Sequence, residues 1–326
     1  MLPEPKEFEL SDLPGDGQTD CAGTAVVFSQ GRPDEERKVS ESVNISVSYM
    51  KFLKKHLITI ILSLIFLVGL GLLVYPTFAD YWNSMHQYHA ILDYAEEISK
   101  MDDEQYEEML EEARAYNASI SEHGINWMLS DEEKKEYQSI LSAGPSGIMG
   151  YIDISKIDIR LPIYHGTSED VLQTSIGHLE GSSLPVGGEG SHCALSGHRG
   201  LPSAKLFSDL DKLKEGDTFV IGILNETLTY EVDQIRVVEP TDMTELQIEP
   251  RKDYCTLVTC TPYGINTHRL LVRGHRTENA DGDVRVVADA IQIEPIYIAP
   301  FIAVPILVIL LLVMMIAPGK KSRKKG

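Results

Sequence analysis

The sequence predicts a mainly β fold, a closed barrel of short strands preceded by a helical segment and flanked by two transmembrane helices. Three observations carry this. Uncharged apolar runs stand at 57–75 and 296–317, the stretch 79–146 has a helical period, and from Gly147 onward short branched segments alternate with Gly, Pro, Asp and Asn.

The first run, LITIILSLIFLVGLGLLVY, is long enough at about 1.5 Å per residue to cross a hydrocarbon core of about 30 Å. The second, IYIAPFIAVPILVILLLVMMIA, has Pro300 and Pro305 near its start, where a membrane helix tolerates a kink. Lys51, Lys54 and Lys55 precede the first run; Lys320, Lys321, Arg323, Lys324 and Lys325 follow the second. The two flanks facing the intervening chain are poor in cations, so both termini are expected in the cytoplasm and the intervening chain outside. A cleaved secretory signal fits the first run poorly, because it starts far from the N-terminus and lacks a small-residue cleavage site. Residues 1–50 mix Pro, Gly, Ser and scattered acids without a period and are expected to be a disordered cytoplasmic tail; 318–326 form a basic one.

Between 79 and 146, Tyr81, Met85, His89, Leu92, Ala95 and Ile98 recur at three- and four-residue steps with acids on the other face. The acid run 102–112 reads as a solvated helix face. Downstream, MGYIDISKI, RLPIYHG, GDTFVIGIL, LTYEVDQIRVV and YCTLVTC read as strands, and barrel closure would leave none of them with a bare edge. The folded module is expected to span 147–276, with 277–294 as a linker to the second membrane run.

A net charge of -20 without a cluster of Lys and Arg outside the membrane flanks excludes nucleic acid as partner. Four cysteines, Cys21, Cys193, Cys255 and Cys260, are too few and too unevenly spaced for a disulfide framework or a CxxC zinc site. No phosphate loop or EF-hand pattern occurs, so no metal and no cofactor are expected.

The stretch 254–276, YCTLVTCTPYGINTHRLLVRGHR, carries the chemistry. A strand-like run ends at Cys260, a loop follows, and a second run carries Arg269. A cysteine at a strand end can be partly exposed, and a nearby cation favours its thiolate. Spacing alone leaves open whether the two meet, and leaves Cys260 one thiol among four.

That stretch, together with LSGHRGLPSAKLF at 195–207 and LPIYHGTSEDVLQTSIGHLEGSSLPVGG at 161–188, resembles the class C sortases, the pilin-polymerising enzymes of Gram-positive bacteria. The resemblance covers about 149–276. It implies an eight-stranded sortase-type barrel and a cysteine transpeptidase without cofactor. Cys260 is implied as nucleophile, His198 as acid and base, and Arg269 as stabiliser of the oxyanion or substrate. The implied substrate is an LPxTG-like sorting signal, cut between Thr and Gly. The implied partners are pilins or surface proteins bearing that signal, a pilin lysine as acceptor, and membrane lipid. Two alternatives stand beside pilus assembly: anchoring of surface proteins to peptidoglycan, and an inactive membrane-tethered binding domain, against which the joint presence of Cys260, His198 and Arg269 argues.

The class carries a lid motif, Asp-Pro-aromatic. Here the equivalent is Ile125-Asn126-Trp127, which keeps only the aromatic, so Trp127 reads either as a lid residue or as an apolar contact of the helical layer. His165 and His178 are given no chemistry and read as structural; His192 and His275 read as surface residues. The implied barrel sets Cys193 beside Cys255, each five residues before its partner in the site and so on the opposite face. The pair is open as a disulfide or as two buried thiols.

Overall fold

The computed structural model describes residues 33–144, 147–279, 303 and 306–308. The chain divides into two units, Met1–Leu62 and Ser63–Gly326. In the first, the described part is the opening of helix α1. The second holds the rest of that helix and the barrel.

Helix α1 runs unbroken from Pro33 to Ser99 with Pro76 inside it. Residues 1–32 of the expected tail lie outside the described residues, and 33–50 are helical. The run 57–75 and the first part of the 79–146 segment are likewise one helix, since nothing between them caps a C-terminus. Among the described residues, one helix is long and apolar enough to cross a membrane. Apart from Ala303 and 306–308, which are helical, the second apolar run lies outside the described residues, as do the tail 318–326 and the linker beyond 279.

Helix α2 (Asp103–His123) and helix α3 (Asp131–Ser139) each open on a capping box, from Asp102 with Gln105 and from Ser130 with Glu133. The strands are β1 (Ile148–Ile154), β2 (Ile159–His165), β3 (Ile176–His178), β4 (Ser191–Ser196), β5 (Thr218–Ile223), β6 (Glu226–Val238), β7 (Asp253–Thr261) and β8 (His268–Thr277), with the short helix α4 (Glu169–Leu172) between β2 and β3. They close in the order β1-β2-β3-β4-β7-β8-β6-β5, the eight-stranded barrel expected from the sequence. Pairs β2/β3 and β4/β7 are parallel and the rest antiparallel.

Alternation along the strands fills the interior with Ile152, Ile163, Leu195, Phe219, Ile221, Tyr230, Leu257 and Val272. The helices cover the outside. Tyr94 of α1 fixes its helix to the barrel: the hydroxyl donates to the Met149 carbonyl (2.7 Å) and accepts from the Leu224 N–H (2.9 Å). In α3, Tyr137 is fully buried, with its hydroxyl 2.9 Å from His178 Nδ1 and accepting from the Gly166 N–H at 3.0 Å.

Candidate active site

Strands β7 and β8 set Cys260 directly opposite Arg269 in antiparallel register. Side chains so paired share a face, with Cβ atoms about 5 Å apart. The parallel pairing of β4 with β7 sets Ser196 beside Val258. That alignment continues past the end of β4: the Gly197 N–H donates to the Val258 carbonyl (3.0 Å) and the Thr259 hydroxyl to the Gly197 carbonyl (2.7 Å). The chain therefore delivers His198 alongside Cys260. Two consecutive strands, with β4 from much earlier in the chain beside them, thus bring the three residues to one end of the outer face.

Cys260 is half-buried and His198 keeps 28% of its side chain exposed, so both are open to a ligand. Carboxylate Oε2 of Glu169, in α4, lies 3.8 Å from His198 Nε2. Beneath the three residues the same face is apolar: Ala194, Val258, Leu271 and Leu246 form a small cluster with Val238 and Met243 against it. A thiol, an imidazole and a permanent cation on a dry floor suit attack on a carbonyl, proton transfer to a leaving amine and stabilisation of an oxyanion.

Residues 152–277 match the sortase domain family. Among solved structures, sortase C1 from Streptococcus agalactiae is 59% identical, aligned over 59% of this chain and 100% of that one with a TM-score of 0.58. The chain belongs to the sortase family. Two further solved sortases of the C class are similar to it at 46% identity over 59% of this chain. Streptococcus pneumoniae sortase C, described for catalysis and pilin substrate specificity, is covered over 97% with a TM-score of 0.54. Clostridium perfringens sortase C, solved with the C-terminal cell wall sorting motif, is covered over 100% with a TM-score of 0.53. Curated sortases match at 26 to 31% identity, over 63% of the first relative's length and between 46 and 95% of the others'.

In this sortase Trp127 lies in the bend joining α2 to α3, half-buried against the cluster of Ala194, Val258 and Leu271. These positions are two residues before Cys260, two after Arg269 and four before His198, so the indole packs against apolar residues next to the candidate site. The segment also crosses the barrel at Gly181, whose φ is +90°; a Cβ there would meet the Asn126 carbonyl oxygen at 2.1 Å. Asn126 folds the bend on itself by accepting the Met128 N–H at 3.1 Å. Packing and a glycine crossing hold the segment where Asp and Pro are missing from the motif.

Sequence reasoning passed over Arg199. Its side chain is 8% exposed, Nη2 pairs with Asp211, Nη1 donates to the Thr261 hydroxyl at 3.4 Å, and the guanidinium lies 5.8 Å from the Tyr263 ring centre. It ties the loop of His198 to the loop of Cys260. Burial of its side chain follows from that pairing, and nothing in the local sequence announces it.

Cys193 and Cys255 are register partners on the inner face, as inferred, and both are free buried thiols, one of the two states the sequence left open. Side chains paired across parallel strands run side by side, which rarely suits the S–S dihedral. Burial pushes the Cys255 thiol well above its ordinary range. His192 is buried, at 1% exposure, instead of lying at the surface. Its Nδ1–H donates to the Gln247 carbonyl (2.9 Å) and its Nε2 accepts from the Thr256 hydroxyl (2.7 Å). His165 donates from Nε2 to the Ile140 carbonyl (2.7 Å), and burial lowers the pKa of both rings. His178 is buried, with Nε2 2.9 Å from the Ser183 carbonyl. His275 is partly exposed, 3.9 Å from Asp233.

Proposed function

We propose that this sortase is a cysteine transpeptidase that cuts an LPxTG-like sorting signal between Thr and Gly and joins the freed acyl group to a pilin lysine. The observation that carries the reading is the register pairing of Cys260 with Arg269, with His198 delivered beside them by β4.

The thiolate of Cys260 attacks the Thr carbonyl carbon, and the carbonyl π electrons move to oxygen. Arg269 donates to that oxyanion, a role for a planar multidonor cation that lysine fills poorly. As the C–N bond breaks, His198 gives its proton to the leaving glycine amine, and the acyl group remains as a thioester on Cys260. A lysine amine then attacks the thioester, loses a proton to His198 and releases the thiolate, which leaves an isopeptide bond. Water in its place gives hydrolysis, and Trp127 over the floor of the site is the barrier to water.

The apolar part of α1 anchors the enzyme with its N-terminus in the cytoplasm and the barrel outside. The run 296–317 returns the chain, so the protein passes the membrane twice. Both placements follow the cation bias of the flanks.

The test offers the full chain a sorting-signal peptide with a pilin-type lysine peptide and a peptidoglycan-stem amine in competition. The expected outcome is a thioester on Cys260 detected by intact-mass spectrometry and preferential transfer to the lysine. Preferential transfer to the stem amine would make it a wall-anchoring sortase, and product without a Cys260 adduct would remove the mechanism.

A further inference from the structure

The half of α1 beyond its apolar run has two faces with different work. One face docks on the barrel: Asp80 Oδ1 accepts the Lys205 N–H (2.7 Å), Asn83 Nδ2 donates to the Ser203 carbonyl (2.7 Å), Gln87 Nε2 donates to the Thr174 carbonyl, and Tyr94 bonds Met149 and Leu224. The order is informative. The contacts nearest the apolar run go to the loop that opens at His198, the next goes to the turn between α4 and β3, and the last goes to β1 and the β5–β6 turn. The His198 end of the barrel is therefore the end toward the apolar run.

Tyr75, Phe78, Trp82 and Met85 recur at helical spacing on roughly the opposite face, and they are 55, 41, 55 and 41% exposed. They continue the apolar run without a break, where Trp and Tyr settle at a bilayer interface. Trp82 follows Tyr75 by seven residues, about 10 Å along the axis, but helical side chains lean toward the N-terminus, which returns the indole toward the headgroups. Asp80 and Asn83, five and eight residues past Tyr75, stand about 8 and 12 Å above the end of the run.

We propose that this face is a lipid-headgroup foot that seats the His198 loop at the bilayer surface, so that the site takes a peptide presented within about 20 Å of the membrane. The occupant is lipid: the patch is continuous with the apolar run on the same helix, and its residues are the interfacial kinds. The substrate clause rests on the transpeptidase reading; the lipid contact does not.

The experiment uses the full chain in phosphatidylglycerol nanodiscs. In a Trp127→Phe background Trp82 is the sole tryptophan, and its emission should be quenched by lipids brominated near the headgroup and not by lipids brominated at the acyl terminus. Separately, the sorting-signal peptide is tethered to lipid through rigid spacers of increasing length. The enzyme should cut it about fivefold faster on a spacer of about 15 Å than on one of about 60 Å. Asp80→Ala/Asn83→Ala, which frees the loop from the helix, should flatten that dependence and leave cleavage of the free peptide within twofold. Absence of shallow quenching, or a rate that climbs with spacer length, overturns the proposal. If no peptide is cut, tethered or free, the transpeptidase reading falls, while the quenching still decides whether lipid is the occupant.

Discussion

Cys255 and Cys260 lie on the same strand, five residues apart, and an odd offset sends them to opposite faces of the barrel. Cys255 is fully buried beside Cys193, where desolvation opposes a thiolate. Cys260 is half-exposed at the strand end, opposite a guanidinium and alongside an imidazole. The two differ in nothing but position, so reactivity here is a property of face and neighbour, with the residue type only permitting it.

Substitution at the two positions breaks that comparison most sharply. Cys260→Ala should lower transpeptidation of a sorting-signal peptide by at least about 10³-fold, whereas Cys255→Ala should leave the rate within about twofold and cost about 1–2 kcal/mol of stability. Rate assays and denaturant unfolding read the two effects. Native thiol labelling sharpens it further: Cys260 should react, and Cys193 and Cys255 only on unfolding.

Trp127→Ala, on the outer face, should raise hydrolysis of the peptide about threefold to tenfold by uncovering the floor of the site, as followed by release of the free acid. Unchanged hydrolysis would leave Trp127 a packing residue only.

The smallest expected effect is on pH. His165 and His192 are held neutral by burial, so their folded-state pKa values lie below the usual 6.5. As pH falls through that value the unfolded chain takes up protons that the folded chain refuses, so the stability these rings contribute is present above it and lost below. Thermal unfolding between pH 7.5 and about 5.5 should show a falling midpoint, and His192→Asn should reduce the slope. An unchanged slope would mean that the ring carries no linked proton.

Much of this was legible in the chain. Period-two segments marked the strands, and the cluster of motifs from 161 to 276 marked the three residues of the site. The misses at His192 and Arg199 share one cause, since periodicity reports faces and not partners. Its pattern shows His192 as polar among apolar neighbours, but not the Gln247 carbonyl and Thr256 hydroxyl that satisfy it when buried. Arg199 hid in the same way, because its partners Asp211 and Thr261 are 12 and 62 residues away. The helical residues 33–50 were not read as a helix because their composition resembles that of a tail.

The parallel pairing of β4 with β7 joins segments 62 residues apart. Contacts of such long range form late, after the loops between them have closed. Before then the chain holds a thiol, an imidazole and a guanidinium with no reason to meet, and Cys260 is no more reactive than its siblings. Closure of the barrel is in that sense the enzyme's own activation step.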